Sequence, residues 1–392
     1  MAKSSGEKAS IQCNIKMKER LLMHLNFNNK LASAALEIKK AGCDALLMGP
    51  SADLEYLFGL SVHKCERFNG VFLLATGEVF GVVSKLYLEE FKRALPSGTK
   101  IYEWADEEWF FEALERAFKE WGFGEGTKIA VNDGVAAMDA VEIANRHGVH
   151  LVNGWQMLEP LRLIKSQEEI AKLKKAGEIT DRALEALLSF IRPGRKEKEI
   201  RRKLLELMDD LGATSASFPP IVARGEHASM PHYTGGDGVI RERDTLLIDF
   251  GCRFEGYCSD MTRTLFIGEP DPEIRKLYEI VRRAQEEGEK HVRPGVTAES
   301  VDEVARKVIV KAGYGEYFNN RVGHGIGIAI HEAPYIMRGN RTPLQKGMTF
   351  SVEPGIYIPG KVGIRIENCV FVTDEGCQSF TSFPKELVIL NS

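Results

Sequence analysis

Apolar residues fall along this chain in two rhythms, and the changes of rhythm outline its elements. CDALLMGPSADLEYLFGL (43–60) reads as a strand, a Gly-Pro break and a helix. GVFLLATGEVFGVVS (70–84) reads as two strands joined through Thr76-Gly77-Glu78. In EEWFFEALERAFKEWG (107–122) the apolar positions take helical spacing and Gly122 marks the stop. KIAVNDG and VHLVNG add two more strands. Alternating strands and helices predict a small α/β domain over 31–160, with Trp104, Trp109 and Trp121 as core or interface residues. Residues 1–30 are polar and are expected to be partly disordered.

LRLIKSQEEIAKLKKAG (161–177) marks the boundary to a second domain, 161–392. Ser166 and Glu169 form a capping-box pattern that opens a long amphipathic helix. Further on, Arg195, Lys196, Lys198, Arg201, Arg202 and Lys203 alternate with Glu197 and Glu199, which reads as a solvated helix face. This half also repeats itself. Arg192-Pro193-Gly194 precedes a helical run ending near Gly212, and Arg293-Pro294-Gly295 precedes one ending near Gly313, both offset by 101 residues. His232, Asp249 and Asp260 then correspond to His331, Glu353 and Glu367 at offsets of 99, 104 and 107. Two similar halves would bring two equivalent hairpins to one place.

Each hairpin carries two acids where an apolar strand is expected. In LLIDFGCRFEGYCSDMTRT (246–264), a turn at Phe254-Glu255 would set Asp249 opposite Asp260. In TFSVEPGIYIPGKVGIRIENCVFV (349–372), a turn about Gly360 sets Glu353 opposite Glu367. Facing carboxylates repel, and burying them unpaired is costly. The glycine-rich RVGHGIGIAIHEAP between the hairpins adds His324 and His331. Four carboxylates and one imidazole suit two divalent ions; the oxygen-rich set favours manganese or cobalt, with zinc or iron as alternatives. Two such ions can hold a bridging hydroxide at neutral pH, which is hydrolytic chemistry.

Composition narrows the rest. A net charge of −4 with mixed signs gives no basic face for nucleic acid. No apolar run is long enough for a membrane span, and MAKSSGEKAS lacks a signal-peptide core. Seven cysteines, an odd number without a CxxC pair, fit a reducing cytoplasm.

The ordered set Asp249, Asp260, His324, Glu353 and Glu367 resembles the five metal ligands of the pita-bread metallopeptidases. YCSDMTRT, GHGIG, HEAP, VEPGIY and GIRIEN are similar to the Xaa-Pro branch, the aminopeptidases P and prolidases, over about 165–392. The first 160 residues resemble the creatinase-type N-terminal domain of that branch. The resemblance implies an α+β architecture with a C-terminal pita-bread domain, two divalent metal ions per chain, and hydrolysis of the bond preceding proline by a metal-bridging hydroxide. The substrate would be a proline-containing peptide or dipeptide, and the assembly a homodimer.

The resemblance also implies roles. Asp249 would chelate one metal, Asp260 and Glu367 would bridge both, and His324 and Glu353 would hold the second, with Glu353 also carrying protons. His232 would assist proton transfer or orient substrate, and His331 would stabilise the tetrahedral intermediate. Arg365, on the same strand face as Glu367, would brace the site or meet a substrate carboxylate. The family often has a second histidine four residues before the metal histidine; Asn320 stands here instead, as a neutral substrate-binding group. Two alternatives remain: a relative acting on a small non-peptide substrate, and an inactive binding module of the same fold. Both usually lack part of the ligand set that this chain retains.

Overall fold

A computed structural model describes residues 29–390; the cysteine at position 13 and most of the polar 1–30 segment lie outside the described residues. The chain divides into two compact units between Leu161 and Arg162.

The first unit is built on six strands: β1 (Ala45–Met48), β2 (Gly70–Leu74), β3 (Val79–Ser84), β4 (Lys100–Trp104), β5 (Lys128–Val131) and β6 (His150–Asn153). Their spatial order is β4-β3-β2-β1-β5-β6. The hairpin β2–β3 turns at Gly77, whose φ of 93° suits glycine. Leu46, Met48, Val71 and Leu73 enter one apolar cluster, while Ala45, Leu47, Phe72 and Leu74 enter another. Successive side chains thus serve opposite faces of the sheet, so the strands read as unbroken apolar runs. A helix runs through 29–40, and others cover Ala52–Phe58, Leu88–Ala94, Phe111–Trp121 and Ala137–His147. Trp104 is fully buried, whereas Trp109 is 37% exposed.

In the second unit the helices are α1 (Gln167–Leu187), α2 (Glu197–Asp210), α3 (Pro272–His291) and α4 (Ala298–Lys311). Helix α1 opens on the expected capping box: Ser166 Oγ accepts from Glu169 N at 3.3 Å, and Glu169 Oε2 accepts from Ser166 N at 2.7 Å. The strands are β7 (Ser215–Ala216), β8 (Ile221–Arg224), β9 (Thr245–Phe250), β10 (Cys252–Phe254), β11 (Tyr257–Cys258), β12 (Met261–Ile267), β13 (Gly323–Gly325), β14 (Glu332–Ile336), β15 (Thr349–Val352), β16 (Gly355–Ile358), β17 (Val362–Arg365), β18 (Asn368–Val372), β19 (Cys377–Ser379) and β20 (Ile389–Leu390).

The duplication is plain in this unit. Helices α2 and α4 have 14 residues each. An isolated bridge joins Lys196 to Val239 and another joins Thr297 to Pro343. β9 pairs β8 and β12, and β15 correspondingly pairs β13 and β18. One core lies between α1, α2 and the β9–β12 layer, through Leu184, Ile200, Leu204, Ile248 and Leu265. The other lies between α3, α4 and the β15–β18 layer, through Val281, Val301, Ala305, Phe350 and Val370.

Two expectations are corrected. The β10–β11 turn is Glu255-Gly256, with φ of 46° and 84°, the conformation that two-residue hairpins favour. Asp249 therefore faces Thr262, not Asp260. The slip moves the partner by two residues, so the facing side is kept and Asp260 lies on the diagonal. The second correction concerns Glu197, expected on a solvated face: it is fully buried, on the same stripe of α2 as Ile200, Leu204 and Met208. Glu353 and Glu367 fall in the break between two ladders of one register, Val352↔Asn368 on one side and Gly355↔Arg365 on the other. That register sets them opposite each other.

Candidate metal centre

Asp249 is the penultimate residue of β9, and Asp260 stands just before β12. β13 carries His324, which is 4% exposed. Glu353 follows β15, and Glu367 sits between β17 and β18. The breaks free backbone for cross-links: Glu353 N donates to Val322 O at 2.7 Å, and Glu367 N donates to Thr262 O at 3.1 Å. The second link joins the two hairpins, and the first ties Glu353 to the segment that leads into His324.

The five side chains converge. His324 Nε2 lies 3.1 Å from Glu353 Oε1 and 3.7 Å from Asp260 Oδ2. Donor atoms of His324, Glu353 and Glu367 lie within 4.8 Å of one another, as do those of Asp260, Glu367 and Cys369. Asp249 joins through Arg365, whose Nη2 donates to Oδ2 of Asp249.

Four features fit these residues to divalent cations. Among the described residues, Asp249 Oδ1 and Asp260 Oδ1 are buried without a hydrogen-bond partner, a costly state for a carboxylate unless a cation meets it. His324 Nδ1 lies 3.1 Å from the Gly325 carbonyl. A carbonyl only accepts, so Nδ1 is its donor, and Nε2 is the ring nitrogen turned toward the Glu353 and Asp260 carboxylates. Burial, reinforced by the surrounding acids, pushes Asp260 and Glu367 well above the usual carboxylate range. Burial also raises Asp249 against the pull of Arg365. Glu353 behaves oppositely: burial opposes its charge, but the His324 imidazole, Arg365 and the Ser351 hydroxyl hold it below its ordinary value.

The residues around this cluster fix it. Thr262 Oγ1 donates to Glu367 Oε2 at 2.6 Å, and Ser351 Oγ donates to Glu353 Oε1 at 2.9 Å. The guanidinium of Arg365, 4% exposed, donates to Thr262 Oγ1 at 3.0 Å and Tyr357 Oη at 2.8 Å as well as to Asp249. Three of its five N–H groups are engaged inside the cluster, an arrangement that braces the centre.

The remaining sequence candidates sit around the cluster. His331 stacks edge-on against His324, ring centroids 4.2 Å apart. Partial burial first, then His324, hold it down to about 4, so its ring is neutral at neutral pH. The next residue, Glu332, is buried between Lys165 Nζ at 2.6 Å and Arg162. His232 is solvent-exposed in the loop after Ser229. It is close enough to His331 to disfavour a charge there. Asn320 has a buried Oδ1 without a partner among the described residues, while its carbonyl accepts from Arg306 Nη2 at 2.8 Å.

Sequence reasoning missed Thr262, Ser351 and Cys369. Each lies two positions from a candidate ligand (Asp260, Glu353 and Glu367), and strand alternation was the available signal.

The profile of metallopeptidase family M24 matches residues 171–374. The probable dipeptidase PepE of Mycobacterium tuberculosis is 37% identical over 367 residues, covering 93% of this chain and 96% of that protein. The Xaa-Pro dipeptidase of Pyrococcus horikoshii is 32% identical over 371 residues, covering 92% and 99%. The crystal structure of recombinant prolidase from Thermococcus sibiricus superposes with a TM-score of 0.88 at 34% identity, covering 93% and 99%.

Proposed function

The chain belongs to metallopeptidase family M24 and has its pita-bread fold, and on that footing we propose that it hydrolyses the peptide bond preceding proline in short peptides, as an Xaa-Pro dipeptidase or Xaa-Pro aminopeptidase. The observation that carries this reading is the convergence of Asp249, Asp260, His324, Glu353 and Glu367, with two buried carboxylate oxygens lacking a partner among the described residues. The dipeptidase and prolidase names of the relatives support the substrate class.

Those five residues would hold two divalent ions, manganese or cobalt before zinc or iron, because oxygen donors outnumber nitrogen. The chemistry that such ions supply is polarisation of a carbonyl and acidification of water. The protein's own groups do the rest. Glu353, hydrogen-bonded to His324 and Ser351, is placed to take and return a proton. Neutral His331 donates one N–H to the carbonyl oxygen as charge develops on it. His232 approaches from the exposed loop to orient substrate or assist proton transfer, and Asn320 offers a neutral polar group. Arg365 keeps Asp249 in place. The reading includes a cytoplasmic homodimer; sedimentation velocity tests the dimer, and cell fractionation tests the location.

One assay panel tests the function: Xaa-Pro dipeptides, Xaa-Pro-Yaa peptides and non-proline controls, each with manganese, cobalt and zinc. Cleavage confined to the bond before proline is expected. Equal rates on the controls, or no metal dependence, would sink the reading.

A further inference from the structure

Outside the centre, Glu197, the first residue of α2, is a fully buried acid. Its Oε1 accepts from Arg224 N at 2.8 Å and from His227 Nδ1 at 2.8 Å. Its Oε2 accepts from Tyr233 Oη at 2.9 Å and from Gly238 N at 3.0 Å. These four donors lie at the entry, middle and exit of one segment, 224–238, which carries His232.

The helix start grips the same segment with its backbone and neighbouring side chains. Glu197 N donates to Gly238 O and Lys198 N to Gly236 O, each at 2.9 Å. Lys198 Nζ bonds Asp237 at 2.6 Å, and Arg201 Nη1 bonds Gly235 O at 3.1 Å. Any Cβ at position 238 would lie 2.6 Å from the Glu197 carboxylate, so glycine is what permits this approach. The His227 ring stacks on Tyr233 with centroids 4.8 Å apart. Burial, then Glu197, push the Tyr233 phenol up to about 12, which keeps it a donor.

The duplicated half supplies an internal control. Helix α4 starts at the corresponding position with Ala298, fully buried and apolar. The fold therefore places no demand for a carboxylate at this helix start. Burying one is unfavourable unless it is fully hydrogen-bonded, and here every bond goes to the segment bearing His232. Ser229 Oγ, in the same segment, accepts from Gly360 N at 3.3 Å, on the turn that leads to Arg365.

We propose that Glu197 is a positioning residue: it anchors the 224–238 segment so that His232 is presented to the metal centre. This rests on the peptidase reading above.

A double-mutant cycle tests it on the best substrate of the panel. Glu197→Gln and Tyr233→Phe are each expected to lower kcat/KM about 10- to 100-fold, as partners that orient a reacting side chain do, with bound metal unchanged. In a His232→Ala background they should add almost nothing, because they act through that residue. Full additivity there, with His232→Ala itself impaired, overturns the proposal alone. An unimpaired His232→Ala removes both its role and the proposal. Amide exchange over 230–238 gives a readout independent of substrate: faster exchange in Tyr233→Phe and Gly238→Ala is expected, and unchanged protection overturns the anchoring. Tyr233→Phe carries the test if Glu197→Gln does not fold.

Discussion

Arg365 donates to Asp249 across the gap between the two hairpins, and it is the fixed positive charge inside a cluster of four acids. Removing one partner of a buried pair costs about 3–5 kcal/mol when the other charge is left uncompensated. Arg365→Ala is therefore expected to lower the melting temperature. The deficit against wild type should be wider in chelator than with saturating manganese, because bound cations compensate Asp249. Equal deficits in both conditions would contradict the bracing role.

Thr262 donates to Glu367 and accepts from Arg365, so one hydroxyl aligns two groups of the centre. Thr262→Val keeps the shape and deletes both bonds. A loss of about 10- to 100-fold in metal affinity is expected, the size typical of groups that orient ligands. Asp249→Ala and Glu367→Ala should abolish turnover and lower bound metal. Elemental analysis with titration calorimetry reads both; near-wild-type stoichiometry in Glu367→Ala would displace it from the ligand set.

Glu332 gives a pH prediction away from the ligands. Burial opposes its charge, but Lys165 and Arg162 outweigh burial and hold it below its ordinary value. A depressed folded-state value contributes stability that is present above the unfolded carboxylate range, about 4.3, and is lost as pH falls through the folded value. Acid unfolding should therefore be shallower in Glu332→Gln than in wild type below about pH 4. That variant should also be less stable at pH 7, where Lys165 remains buried and unpaired. Chevron or urea midpoints across pH decide; parallel curves would exclude the linkage.

Asn320 stands where the resemblance drawn from the sequence leads to the expectation of a histidine, and among the described residues its Oδ1 is buried without a partner. An amide cannot carry charge, and a neutral bond in place of a charged one weakens substrate grip by about 1 kcal/mol. Asn320→His is expected to raise kcat/KM for Xaa-Pro substrates several-fold. An unchanged or lower value would show that the amide already fits this enzyme's own substrate.

The centre was more legible in the sequence than the register around it. Glu353 and Glu367 were placed opposite each other because the turn about Gly360 was found, and glycine marks that turn. Asp249 was mispaired because Glu255 takes positive φ, which side-chain chemistry does not advertise. The slip kept its face, so the acids still converged. Glu197 was misread for another reason. Its charged neighbours suggested a wet face, although spacing to Ile200 and Leu204 put it on the apolar stripe. Periodicity outranked local charge there. Strand alternation puts Thr262 and Arg365 on the faces of Asp260 and Glu367, but their hydrogen-bond partners lie 103 to 105 positions away, which alternation does not identify.

The Thr262–Glu367 cross-link has a bearing on how the protein folds. Its partners are separated by 105 positions, and the donors stretch from Asp249 to Glu367. No short stretch of chain can pre-assemble such a centre, and long-range pairings of this kind form late because loop closure precedes them. Metal then meets a nearly finished molecule. It should leave the refolding rate almost unchanged and slow unfolding instead, the signature of contacts absent from the transition state. Stopped-flow refolding and unfolding with and without manganese distinguish the two limbs. A metal that accelerated refolding would show that the hairpins meet early.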